Sequence, residues 1–167
     1  YIKDGDTVWN PTWKPTRTPL DRYECRHGLG RTTITGEKDG IEVSVRYFVP
    51  PGETLEVWDV TVRNRTEVRK SLQLFSFVEW CLWDAQDDAT NFQRNFSTGQ
   101  VEVEAQTVFH VTEYRERRSH FAYFHCSAPV AGTDSSRDAF VALHNGLEMP
   151  EAVRLGRCTG SIAHGWQ

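Results

Sequence analysis

The run RTTITGEKDGIEVSVRYFV constrains this chain more than any other stretch. Its second half alternates Ile41, Val43, Val45 and Tyr47 with Glu42, Ser44, Arg46 and Phe48. That two-residue period belongs to a strand with one face buried and one face wet. Asp39-Gly40 stands between the two halves, and this dipeptide accepts the positive φ values that a tight hairpin turn demands. A lone hairpin is marginal in water, so the rest of the chain has to supply partners.

It does. TLEVWDVTVRNRT alternates as well, but its apolar set changes face partway, which predicts a strand buried on both sides or bulged. SLQLFSFVEWCLW is apolar almost throughout and predicts a long central strand. QVEVEA, TVFHVTEY and HFAYFHCSA follow as three further strands. Pro11, Pro15 and Pro19 keep NPTWKPTRTPL extended and non-helical. SSRDAFVALHNGL reads as a helical turn leading into a short strand, and MPEAVRLG as a short helix with Pro150 at its start. The sum is about nine strands and at most two short helices, spaced as in an all-β sandwich.

The length of 167 residues is enough to bury a core in one domain. A net charge of −4 gives no electrostatic footprint for nucleic acid or an anionic membrane, so neither is expected as a partner. Cys25, Cys81, Cys126 and Cys158 are too scattered for a zinc site, and they are read as free thiols of a cytoplasmic protein rather than as two disulfides. No metal and no organic cofactor is expected. The ends, YIKDGDTVW and SIAHGWQ, read as cut.

The chemistry-bearing candidate is the loop DDATNFQRNFSTG. Asn91, Gln93, Arg94 and Asn95 crowd together there, with Phe92 and Phe96 between them. Carboxamides and a guanidinium offer paired donors and acceptors of the kind that vicinal sugar hydroxyls require. The bland alternative is a turn-rich loop that satisfies its own backbone. Arg115, Arg117 and Arg118 in TEYRERRSH could bind a phosphate, but they read better as a strand end with paired surface charges. His27 beside Arg26 and Glu24 reads as a structural histidine, and Gly28 and Gly30 are too few for a dinucleotide loop. Glu79, Asp84, Asp87 and Asp88 cluster in sequence without the facing arrangement that acid/base work needs. With no G-x-S-x-G either, no residue of the chain is read as catalytic.

Long stretches of the chain carry a resemblance. PTWKPTRTPLDRYECRHGLGRTTITGEKDGIEVSVRYFVP, LFSFVEWCLWDAQDDATNFQRNFSTGQVEVE, TEYRERRSHFAYF and SIAHGW, in this order, resemble the N-terminal region of the cellobiose phosphorylases of glycoside hydrolase family 94. Cellodextrin, chitobiose and laminaribiose phosphorylases are related. The resemblance implies a galactose-mutarotase-like β-super-sandwich, here truncated, with residues 1–167 forming part of it. It implies a cytoplasmic, homodimeric parent in which a helical (α/α)6 barrel, absent from this chain, holds the acid Asp. In such a parent, inorganic phosphate attacks cellobiose with inversion to give α-glucose 1-phosphate and glucose. The Gln-Arg of the loop then faces the glucosyl subsite, which maps onto Gln93 and Arg94, with Asn91 and Asn95 as neighbours. The alternative reading is a stand-alone carbohydrate-binding sandwich without catalysis.

Overall fold

The computed structural model describes residues 1–80, 82, 86, 90, 98–114, 117–162 and 164–166, leaving aside the side chains of 98, 113, 114, 117–119 and 164–166. Among the described residues, eleven strands and two five-residue helices are complete, and residues 86 and 90 are also helical. All strands pair antiparallel in three sheets, so the all-β architecture stands. The chain divides into two units, Tyr1–Ser76 with Asn145–Gly156, and Phe77–His144 with Arg157–Gln167.

The first unit begins with a hairpin, β1 (Ile2–Asp4) and β2 (Thr7–Trp9), followed by β3 (Arg22–Gly28), β4 (Arg31–Lys38), β5 (Ile41–Phe48), β6 (Val57–Asn64) and β7 (Leu72–Leu74). One sheet has the order β2-β1-β7 and the other β3-β4-β5-β6. The hairpin at Asp39-Gly40 forms as expected, with φ of 50° and 76°, and pairs Lys38 with Ile41. Ile41, Val43 and Val45 of β5 share one core cluster with Ile2 and Trp9, and Leu20, Tyr47 and Leu72 pack against it. Glu42, on the opposite face of β5, is buried and receives the Arg65 guanidinium at 2.6 Å, with Arg63 at 3.9 Å and Arg22 at 4.0 Å. The surrounding arginines neutralise a carboxylate that burial alone would penalise.

The proline-bearing strap between β2 and β3 is non-helical, as predicted, but it is turned instead of extended, with Trp13 and Arg17 at positive φ, and runs close over β4. A Cβ at Gly36 would lie 2.7 Å from the Pro11 Cα, so only glycine fits beneath the strap. The short helix at Glu151–Leu155 forms where MPEAVRLG predicts it, with Pro150 at the N-cap. Its end is tied to β7 by the Gln73 amide, which donates to the Gly156 carbonyl at 2.7 Å.

Two strand expectations fail. TLEVWDVTVRNRT yields β6 in unbroken register with β5, without a bulge and at the sheet edge, where Trp58, Val60 and Val62 remain exposed. Its mixed faces reflect an edge strand instead of double burial. Among its described residues SLQLFSFVEWCLW contributes the three-residue edge strand β7, and Phe75–Trp80 is irregular, so the long central strand expected there does not form.

The second unit holds β8 (Thr98–Glu104), β9 (Thr107–Tyr114), β10 (Arg117–His125) and β11 (His164–Trp166), in the order β10-β9-β8-β11. In SSRDAFVALHNGL the helical turn forms as α1 at Arg137–Val141, but the short strand expected after it does not, and the helix of the first unit is therefore α2. Phe140 of α1 stacks on Phe77 with ring centroids 5.2 Å apart. Asp134 accepts hydrogen bonds from the backbone and hydroxyl groups of both Thr159 and Ser161, at 2.7–3.1 Å. Burial raises its carboxyl pKa, yet these hydrogen bonds outweigh burial and hold it below the ordinary value.

Candidate functional site

Asn91, Gln93, Arg94 and Asn95 lie outside the described residues, as do Phe92, Phe96, Asp84, Asp87, Asp88, Cys81 and Arg115. What the structure gives is the frame on either side of their loop. Before it, the Thr90 hydroxyl donates to the Gln86 carbonyl at 2.7 Å, one helical turn back. After it, the chain enters β8 at Thr98 and is fixed at once by register, Gly99 opposite Thr112 and Val101 opposite His110.

His110 is the central side chain of this frame. Strand alternation puts it on the same face as Thr112, whose hydroxyl lies 2.7 Å from its Nε2. The Trp80 indole stacks on the imidazole with centroids 5.5 Å apart and planes 16° from parallel. A Cβ on Gly99 would stand 3.2 Å from the His110 Cε1, so the missing side chain leaves room for the ring. Burial lowers the His110 pKa, which keeps the ring neutral at pH 7. A neutral imidazole stacked on an indole is a flat, uncharged support. It can hold the root of β8 in place, and it supplies no charge to a ligand.

The residues leading to the loop are held in a similar way. Glu79 pairs with Arg137 of α1 at 2.8 Å, which occupies the one described member of the acidic cluster. No three acidic, histidine or cysteine residues among the described ones gather as a metal site. Arg117 and Arg118 fall within β10, where the pairing shifts register between Arg117 and His120. Cys25, Cys126 and Cys158 are free thiols. Burial first, then the adjacent Asp134, pushes the Cys158 thiol up to about 11, which leaves it unreactive.

His27, read as a structural histidine, makes local contacts and joins no network with Arg26 and Glu24. It stands on the opposite face of β3 from Arg26 and Glu24, and its ring contacts the Thr32 hydroxyl at 3.0 Å. Arg26 and Glu24 pair with each other at 2.8 Å. Trp80 and His110 were not singled out by the sequence. The alternation in TVFHVTEY could have placed His110 and Thr112 on one face, but nothing local announces a tryptophan thirty positions earlier as the partner.

The chain is similar to several curated proteins over almost its whole length. It is 29% identical to the solabiose phosphorylase of Paenibacillus borealis, covering 98% of this chain and 22% of that protein. It is 30% identical to the N,N'-diacetylchitobiose phosphorylase of Vibrio proteolyticus, over 96% of this chain and 21% of that protein. It is also 30% identical to the 3-O-beta-D-glucopyranosyl-beta-D-glucuronide phosphorylase of Paenibacillus borealis, over 98% and 22% respectively. The chain thus spans about a fifth of the length of these relatives. The family model for the glycosyl hydrolase 94 supersandwich domain matches residues 1–167, and with its three antiparallel sheets the chain belongs to that family.

Proposed function

We propose that this chain is part of the N-terminal β-sandwich region of an inverting disaccharide phosphorylase and lends its loop to the sugar-binding side of the active site. The observation that carries the reading is the family match across every position of the chain. Relatives named as phosphorylases of three different glycosides, at 29–30% identity, support the reaction class. Their near-equal identity leaves the choice of disaccharide to residues outside the common scaffold, and cellobiose is the first substrate to test.

In this reading an oxygen of inorganic phosphate attacks the anomeric carbon, the glycosidic C–O bond breaks, and the leaving oxygen takes a proton from an acid in a helical barrel outside this chain. The products from cellobiose are α-glucose 1-phosphate and glucose. Phosphate is a substrate, and neither a metal nor an organic cofactor has a part. Gln93 and Arg94 hydrogen-bond the hydroxyls of the donor sugar, and Asn91 and Asn95 flank them. A hydrogen bond from a charged donor contributes about 1.5–3 kcal/mol. It accelerates the reaction only to the extent that it strengthens in the transition state. The Trp80–His110 stack and the Gln86–Thr90 bond hold the two ends of the loop, so its donors need less ordering on binding. A cytoplasmic homodimer is the proposed form of the parent. Among the described residues, no helix is long and apolar enough to cross a membrane.

The test is phosphorolysis by the full-length protein, with cellobiose, chitobiose and laminaribiose as substrates and sugar 1-phosphate as the readout. Arg94→Ala is expected to lower kcat/KM by about tenfold to a hundredfold, with the unfolding midpoint unchanged. Unchanged kinetics in that variant refute the role of the loop. Sugar binding without phosphorolysis across the panel replaces the reading with that of a binding module.

A further inference from the structure

The sheet β3-β4-β5-β6 has a second face, turned away from the core, and it is polar. Register places Arg26, Thr33, Arg46 and Asp59 opposite one another in a single row across all four strands. The row on one side is Glu24, Thr35, Ser44 and Thr61, and on the other Gly28, Arg31, Phe48 and Val57. An open concavity of about 600 Å³ lies over these rows. Three guanidiniums, from Arg26, Arg31 and Arg46, and three hydroxyls, from Thr33, Ser44 and Thr61, contribute to its lining.

The charges are not all spent on one another. Arg46 pairs with Asp59 at 2.5 Å and stands 5.5 Å from the Phe48 ring, while Arg26 pairs with Glu24 at 2.8 Å. Arg31 has no ion-pair partner among the described residues. It lies beside Gly28, whose missing side chain keeps that corner open: a Cβ there would meet only Arg31 atoms, the nearest at 3.5 Å. Two threonine hydroxyls, those of Thr33 and Thr61, make no hydrogen bond to other described residues, and Ser44 receives one from Thr35 at 3.0 Å and keeps its proton to donate. An ordinary charged strand surface pairs its ions and stops there. This one keeps a guanidinium in surplus beside a row of hydroxyls, in a chain whose net charge is −4. The volume falls within the range of small-molecule sites, roughly 300–1,000 Å³.

We propose that this concavity binds a small hydroxylated oxyanion, a phosphorylated or carboxylated sugar, with Arg31 and Arg26 on the oxyanion and Thr33, Ser44 and Thr61 on the hydroxyls. The planar guanidinium fork matches phosphate and carboxylate oxygens alike, so the anion class is shared between the two sources. The proposal uses no residue of the loop at Asn91–Asn95 and stands whether or not that loop serves phosphorolysis.

Calorimetric titration of the full-length protein tests it, with glucose 6-phosphate, glucuronate, inorganic phosphate and glucose as ligands. At least one of the two sugar anions is expected to bind, with the tighter one naming the source, and R31A is expected to weaken that binding about tenfold or more. T61A should weaken it by a smaller factor, and glucose should show no binding that R31A removes. Arg31 is exposed, and an unchanged unfolding midpoint confirms that R31A is folded. Isotherms that superimpose for wild type and R31A, or the absence of binding by both sugar anions, overturn the proposal. Inorganic phosphate binding that R31A removes, as tight as the binding of glucose 6-phosphate that R31A removes, overturns the role of the hydroxyl row.

Discussion

The two units of this chain are stabilised by different means. In the first, Trp9, Ile41 and Val43 are at most 1% exposed, and the two sheets share them as a dry core. In the second, no described side chain of the sheet β8–β11 is buried, and Phe121 and Tyr123 are 70% and 55% exposed. Besides Phe140 and Val141 of α1, which are buried, polar and aromatic fixtures hold it: Asp134 gathering Thr159 and Ser161, Glu79 on Arg137, and Trp80 on His110. The contrast separates two kinds of sensitivity. A core responds to volume, and hydrogen-bonded fixtures respond to chemistry and pH.

Substitution can break that contrast. Trp9→Ala removes the largest fully buried side chain and should destabilise the first unit by about 3–5 kcal/mol in chemical denaturation. Hydrogen exchange would then rise across Ile41–Phe48 before it rises across Thr107–Tyr114. Equal acceleration in both strands would mean that the units share one cooperative transition. Gly36→Ala drives a methyl onto the Pro11 backbone and should cost about 1–3 kcal/mol, read as a lowered urea midpoint with the same first-unit exchange signature. Asp134→Ala strips the hydrogen bonds from Thr159 and Ser161, and a loss of about 1–2 kcal/mol confined to the second unit is expected.

The smallest effect sharpens the comparison through pH. His110 has a lowered pKa when folded, so below its unfolded value of 6.5 the unfolded chain takes up the proton first and stability falls. Asp134 is also lowered, so its contribution is complete above 3.8 and is lost as pH drops through the folded value. Both losses run in the acid direction and both belong to the second unit. Exchange in Thr107–Tyr114 should therefore increase on acidification from pH 7 while Ile41–Phe48 holds. The His110→Phe variant should lose the upper part of that response, and a profile identical to wild type would remove His110 from the account.

Strand periodicity was legible both where one face met a core and where neither face is buried. Ile41, Val43 and Val45 predicted their burial, and QVEVEA, TVFHVTEY and HFAYFHCSA predicted the three adjacent strands of the second unit. Position within a sheet was not legible, because an edge strand such as β6 can expose Trp58 and Val60 and still alternate. The hairpin of β1 and β2 carries Asp4-Gly5 at its turn, a dipeptide of the same kind as Asp39-Gly40, whereas the mostly polar residues of β3 carry little strand alternation. The amide-rich loop was visible by composition alone. The Trp80–His110 support was not, since its two rings come from segments thirty residues apart and only tertiary structure joins them.

The crossing of Pro11 over Gly36 has a bearing on recombination among relatives. Strap and strand touch backbone to backbone, so a chimera that imports one segment without the other places a foreign turn on an unmatched surface. Exchange of residues 10–20 is expected to succeed only when the position beneath them travels in the same block.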